Sequence, residues 1–178
     1  MDSHRVTGHH PTVALRAATT ADVEAVTAIE TRAHRTLHPE ALRRAICTPG
    51  RLVLVAEHLG QDGAITMVGW AQTYHHTTIV DAAPAGHYLG GLTVDPGWRR
   101  QGIATTLTDA RMAWIAQRAD QAYYVVNATN DASINLHRRW SFVEIARAPQ
   151  LTGIPFTGGA GLLMRASSGP TGVANPAL

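Results

Sequence analysis

Apolar and polar positions along the chain change their period repeatedly, and the changes mark its elements. Residues 12–17 alternate apolar and polar side chains, the two-residue repeat of a half-buried strand. Beyond them Thr20 is placed to cap a helix, with Asp22 and Glu24 in its first turn and Val23, Val26 and Ile29 recurring on one face. Pro39 suits the first position of a second, short helix that ends near Ile46. Residues 51–58 and 64–74 read as a hairpin across Gly60-Gln61-Asp62-Gly63, and the polar, proline-containing stretch 77–86 reads as a loop.

Residues 87–94 form the next strand. Ile103, Leu107, Ala110 and Trp114 then recur at helical spacing and predict a helix with one buried face. The short apolar run 122–127 suits a buried strand, 132–140 has the length of a helix, and 142–147 and 161–165 read as late strands. Residues 1–11 and 167–178, the latter rich in Gly, Pro and Ser, lack periodicity and are expected to be flexible ends of one domain over 12–166. Helices inserted among mostly antiparallel strands predict an α+β fold.

Composition narrows the function classes. With 178 residues, 45 % of them hydrophobic, the chain can bury one full core. It has no apolar run of membrane-spanning length and no apolar signal core near its start, so a cytoplasmic protein that does not engage a membrane is expected. The formal charge is +2, and basic residues are dispersed apart from Arg99-Arg100 and Arg138-Arg139, which argues against a nucleic-acid partner. All 15 basic Lys and Arg positions are arginine, which excludes lysine Schiff-base chemistry. The single Cys47 excludes an internal disulfide; beside Pro49 and Gly50, with nothing to supply a base, it reads as a helix-end packing residue. His34 and His38 have the spacing of a helical metal pair, but Pro39 interrupts the helix and no third ligand is evident, so no metal is expected.

The most informative chemistry lies in Val94-Asp95-Pro96-Gly97-Trp98-Arg99-Arg100-Gln101-Gly102-Ile103-Ala104-Thr105, a strand, a turn and a helix opened by small residues. The first-turn N–H groups of such a helix lack intrahelical acceptors, and the positive end of the helix dipole lies behind them, so the junction suits an anion. No Gly-Lys-Ser/Thr of a P-loop is present, and no G-x-G-x-x-G. Arg99-x-x-Gly102-x-Ala104 after Val94-x-Pro96 instead resembles the acyl-CoA pyrophosphate loop of the GNAT superfamily of N-acetyltransferases. Asn130-Asp131-Ala132-Ser133-Ile134-Asn135-Leu136-His137-Arg138-Arg139-Trp140-Ser141-Phe142 resembles that family's later element, in a spelling similar to the phosphinothricin-type enzymes.

The resemblance covers roughly residues 12–166. It implies a mostly antiparallel mixed sheet with flanking helices, splayed between its fourth and fifth strands, and acetyl-CoA in the opening. It implies that backbone groups of Leu92, Thr93 and Val94 pair with the pantetheine arm and that N–H groups of Arg100, Gln101, Gly102, Ile103, Ala104 and Thr105 hold the pyrophosphate, with charge from Arg99 or Arg100. Asn130 matches a cofactor-contacting position and is also suited to cap the helix at Ala132. His137 stands where most relatives carry a tyrosine, and imidazole can supply the leaving thiolate with a proton.

Many relatives place a glutamate at about the position of Tyr88, and no carboxylate lies between His87 and Val94. His87, Tyr88 or a water relay from His75, His76 or Asp81 are the candidate bases. The expected activity is direct acetyl transfer to a primary amine of a small molecule, with an aminoglycoside, amino-sugar or amino-acid-analogue antibiotic as the preferred acceptor and resistance as the purpose. Acetylation of a protein or peptide is one alternative. A non-catalytic acyl-CoA sensor is another, favoured by the missing strand carboxylate and by Ser141 in the usual glycine position. Relatives are often homodimers, and a homodimer is expected.

Overall fold

The computed structural model describes residues 13–156 and 158–169. β1 (Val13–Ala17), β2 (Val53–Leu59), β3 (Ile65–His76) and β4 (Gly86–Val94) pair antiparallel in sequence order. β5 (Gln121–Asn127) then joins β4 in parallel, β9 (Gly161–Ser167) pairs with β5, and β6 (Val143–Ala148) forms the far edge. The resulting order is β1-β2-β3-β4-β5-β9-β6. The helices are α1 (Val23–Arg32), α2 (Pro39–Cys47), α3 (Ile103–Ala116) and α4 (Asp131–His137). The α+β expectation and the splay between the fourth and fifth strands are both present.

Both sides of the sheet are covered, and the two-residue pleat of β2 sorts its side chains between them. Val53 and Val55 pack with Val23, Val26 and Ile29 of α1 and Leu42 of α2, whereas Leu54 and Ala56 pack with Ile103 and Leu107 of α3. Burying one such aliphatic side chain contributes about 1.5–3 kcal/mol, so each helix is held chiefly by its apolar stripe. No helix of the described residues is long and apolar enough to cross a membrane.

Several elements differ from the sequence reading. β3 continues to His76, and the helix expected over 132–140 ends at His137, followed by a single 3-10 turn at Arg138–Trp140. That turn ends on Ser141 at φ 56°, a left-handed conformation that explains why glycine is usual there. The segment after β6 holds an unforeseen hairpin, β7 (Gln150–Leu151) and β8 (Ile154–Pro155), turning through Thr152 and Gly153 at φ 52° and 75°. On α3 the buried face includes Thr108, Arg111, Met112 and Ile115 beside Ile103 and Leu107, while Ala110 and Trp114 are half-buried. The expected flexible ends lie outside the described residues, except that Ser167 closes β9 and Ser168 and Gly169 follow it.

Candidate active site

β4 and β5 are hydrogen-bonded neighbours only where His87 meets Ala122 and Tyr88 meets Tyr123; beyond those pairs the strands separate. A bulge helps turn β4 away. Ala71 of β3 faces Leu92 and Thr73 faces Leu89, so β4 carries an extra residue at Gly90-Gly91. Space is tight here: a Cβ on Gly90 would lie 3.0 Å from Tyr74 and one on Gly91 3.0 Å from Trp70, so the ring would have to give way to a side chain. Behind the bulge the fully buried Arg111 donates from Nη1 to Gly90 O at 3.0 Å and to Gln72 O at 3.3 Å, and from Nη2 to Thr108 Oγ1 at 2.8 Å. Burial pushes its pKa down to about 9, which leaves the guanidinium charged at neutral pH.

The strands open onto a cleft of about 1200 Å³. At one end Arg100 at φ 63° and Gly102 at φ 82° turn the chain twice through left-handed backbone before α3 begins. Successive N–H groups then face a shared concavity, a nest for anions, with the first turn of α3 behind it. Nothing lies within 4 Å of where a Cβ of Gly102 would stand, so the glycine answers to backbone conformation and ligand space and not to internal packing. Asp95 braces the turn: its carboxylate accepts from Gly97 N at 3.0 Å and pairs with Arg32 of α1 at 2.6 Å.

Of the residues expected to hold the donor, Leu92, Thr93, Val94, Arg99, Arg100, Gly102, Ile103, Ala104, Thr105 and Asn130 all line this cleft; Gln101 does not. Asn130 also accepts from Ser133 N at 3.1 Å as the cap of α4, so its two readings are compatible. His34 and His38 fall on the connection between α1 and α2, and no group of three or more metal-ligating side chains occurs among the described residues.

The candidate catalytic residues divide. His137 lines the cleft, with its Nδ1–H donating to Ser133 O at 2.8 Å. Its Nε2 is therefore the unprotonated nitrogen, and it is buried without a partner. Burial holds the imidazole down at about 4, the Ser133 carbonyl opposes this, and the Arg111 charge adds to it. In this tautomer Nε2 is an acceptor, and the donor role expected from sequence requires its protonation first. Its ring stacks on Tyr124 at 4.3 Å, and the Tyr124 hydroxyl is a buried, unpartnered donor in the same cleft, its pKa pushed up to about 12 by burial.

His87 and Tyr88 do not line the cleft. They sit before the bulge, where the pleat still turns neighbouring side chains to opposite faces. Tyr88 stacks between Tyr74 and Tyr123, its hydroxyl donates to Pro84 O at 2.7 Å, and burial raises its pKa. His87 meets His75 at 4.4 Å and Trp114 edge-on, with burial and the His75 charge lowering its pKa. Sequence reading missed Tyr124, Arg35, Gln72 and Phe156 on the cleft wall. A tyrosine inside the apolar run 122–127 was the available signal, since a buried hydroxyl needs a partner from somewhere.

Comparison with known proteins agrees with this geometry. The Acetyltransferase (GNAT) family model matches residues 22–142. The fold is similar to that of the ribosomal-protein-S18-alanine N-acetyltransferase of Escherichia coli, at 21 % identity and TM-score 0.69 over 92 % of this chain and 99 % of that one. It is similar to Arabidopsis thaliana NAA60 in complex with acetyl-CoA, at 18 % and 0.69 over 88 % and 99 %. It is similar as well to a chimera of the Vibrio cholerae spermidine N-acetyltransferase SpeG with hSSAT, at 14 % and 0.65 over 88 % and 95 %. No curated protein sequence matches the chain. With the splayed sheet, the bulged fourth strand and the anion nest all in place, the chain belongs to the GNAT family of acetyltransferases, enzymes whose acetyl donor is acetyl-CoA.

Proposed function

We propose that this protein transfers an acetyl group directly from acetyl-CoA to a primary amine of a small molecule, an antibiotic or other toxic amine being the preferred acceptor. The observation that carries the reading is the nest at Arg100–Thr105 opening into the splay, which matches a pyrophosphate at one end and a thioester at the other. The acceptor nitrogen, deprotonated before attack, forms the new C–N bond as the C–S bond breaks, and a proton shed by the nitrogen ends on the thiolate. A backbone N–H on β4 beside the bulge polarises the acetyl carbonyl, and a preorganised donor of this kind is worth about 3–4 kcal/mol. The Tyr124 hydroxyl hydrogen-bonds the developing thiolate.

A small acceptor is favoured over a protein by the β7–β8 segment, which brings Ile154 and Phe156 onto the cleft wall. Gly153 N donates to Asp81 Oδ2 at 2.9 Å and anchors that hairpin to the loop before β4. The homodimer is part of this reading: β6 is a sheet edge with Val143 and Ile145 exposed, and a second copy pairing there would cover them. Thiol release from acetyl-CoA against aminoglycosides, amino sugars, amino-acid analogues and peptides, with product masses measured, tests the acceptor. Release with small amines supports the reading, and release with peptides alone overturns it.

A further inference from the structure

The sequence leaves β4 without a carboxylate, and none lines the large cleft among the described residues. A second cavity of about 400 Å³ adjoins that cleft and shares Arg35, Gln72, Gly91 and Thr93 with it. Its wall carries Glu30, near the end of α1, the one carboxylate among the described residues that line either cavity. Glu30 is only 5 % exposed, and its Oε1 accepts from Trp70 Nε1 at 2.7 Å. No ion pair among the described residues involves it. A buried carboxylate with one neutral hydrogen bond and no ion pair is suited to receive a cation.

The same cavity holds the opposite charge. Arg35, on the connection between α1 and α2, donates from Nη1 to Leu92 O and to Thr93 Oγ1, both at 2.9 Å. Those two bonds fix the guanidinium against β4 beside the bulge, and its remaining N–H groups make no hydrogen bond among the described residues. A planar guanidinium with free N–H groups is suited to a carboxylate. Trp70 and Leu37 supply apolar wall to the same cavity.

We infer that this second cavity is the acceptor site and that its ligands are free α-amino acids or their close analogues, the ammonium resting on Glu30 and the carboxylate on Arg35. The inference rests on the acetyl-transfer reading and names the substrate class for it. The volume suits a small ligand, and the shared wall at Gly91 and Thr93 joins the cavity to the cleft beside the bulge.

The test supplies acetyl-CoA with an equimolar pool of the free α-amino acids, and separately with the pool of their carboxamides and with spermidine, and resolves products by mass. Acetylated amino acids should form, with kcat/KM at least tenfold above the matching carboxamides. Glu30→Gln keeps an oxygen for Trp70 Nε1 and removes only the charge; it should raise KM for amino acids at least tenfold with little change in kcat, melting temperature or acetyl-CoA affinity. Arg35→Gln should erase the preference for the free acid. Acetylation of carboxamides or spermidine without amino acids, or a Glu30→Gln enzyme equal to wild type, overturns the inference while leaving acetyl transfer intact. Absence of thiol release with every pool overturns both.

Discussion

Tyr124 and His137 show how two neighbouring side chains are separated in role by one hydrogen bond. Ser133 O accepts from His137 Nδ1–H, which leaves Nε2 unprotonated in the neutral ring, so the hydroxyl of the stacked tyrosine is the unpartnered donor of the pair. Tyr124→Phe should therefore lower kcat about 100-fold, the lower range for general acid catalysis, with acetyl-CoA affinity by calorimetry unchanged. An unaltered kcat would remove the assignment. The depressed pKa of His137 also couples folding to pH. Its folded-state value of about 4 lies below the ordinary 6.5, so the unfolded chain binds the extra proton, and the contribution is complete above about pH 6.5 and lost as pH falls toward 4. Its size is up to about 3 kcal/mol. Denaturant unfolding should show this slope in the wild-type protein and a shallower one in His137→Gln.

At the scale of elements, the loop that opens α3 at the cleft was legible because its signals are local: a strand end, a turn, a glycine and a helix start all appear within one stretch of sequence. Gly102→Ala tests it, since a side chain at φ 82° is strained and enters space left open for the ligand. Acetyl-CoA affinity should fall at least tenfold, about 1.4 kcal/mol, with the cooperativity of thermal unfolding retained. Equal affinity would place the phosphates elsewhere. The β7–β8 hairpin was not seen because two-residue strands carry no periodicity, although Thr152-Gly153 between Leu151 and Ile154 is a turn signal. That His87 and Tyr88 would fall outside the cleft wall was not legible, for a different reason. His87 and Tyr88 stand next to each other on the expected strand, but the bulge at Gly90-Gly91 begins after them, and a one-residue shift in pleat is invisible without the partner strand. Arg111 was hidden because a charge on a helix reads as solvent-facing, and only the carbonyls of Gln72 and Gly90 make its burial tolerable.

Across the whole molecule, chain topology places the donor's chemistry at a single opening. Parallel pairing of β4 with β5 needs a crossover, α3 supplies it, and the N-terminus of that crossover helix lies where the strands part. The second cavity and part of the cleft wall come from segments distant in sequence, α1, the α1–α2 connection and β7–β8, which is why sequence carried a signal for acetyl-CoA and none for the acceptor. The most direct test mixes the protein with acetyl-CoA and the pool of primary amines and measures the intact masses of protein and amines together with free thiol. Free thiol in equal amount to one-acetyl amine products, with the protein mass unchanged throughout, is the predicted result. Acetyl-CoA bound without thiol release, or an acetyl group found on the protein before any reaches the amine, would contradict direct transfer in the β4–β5 splay.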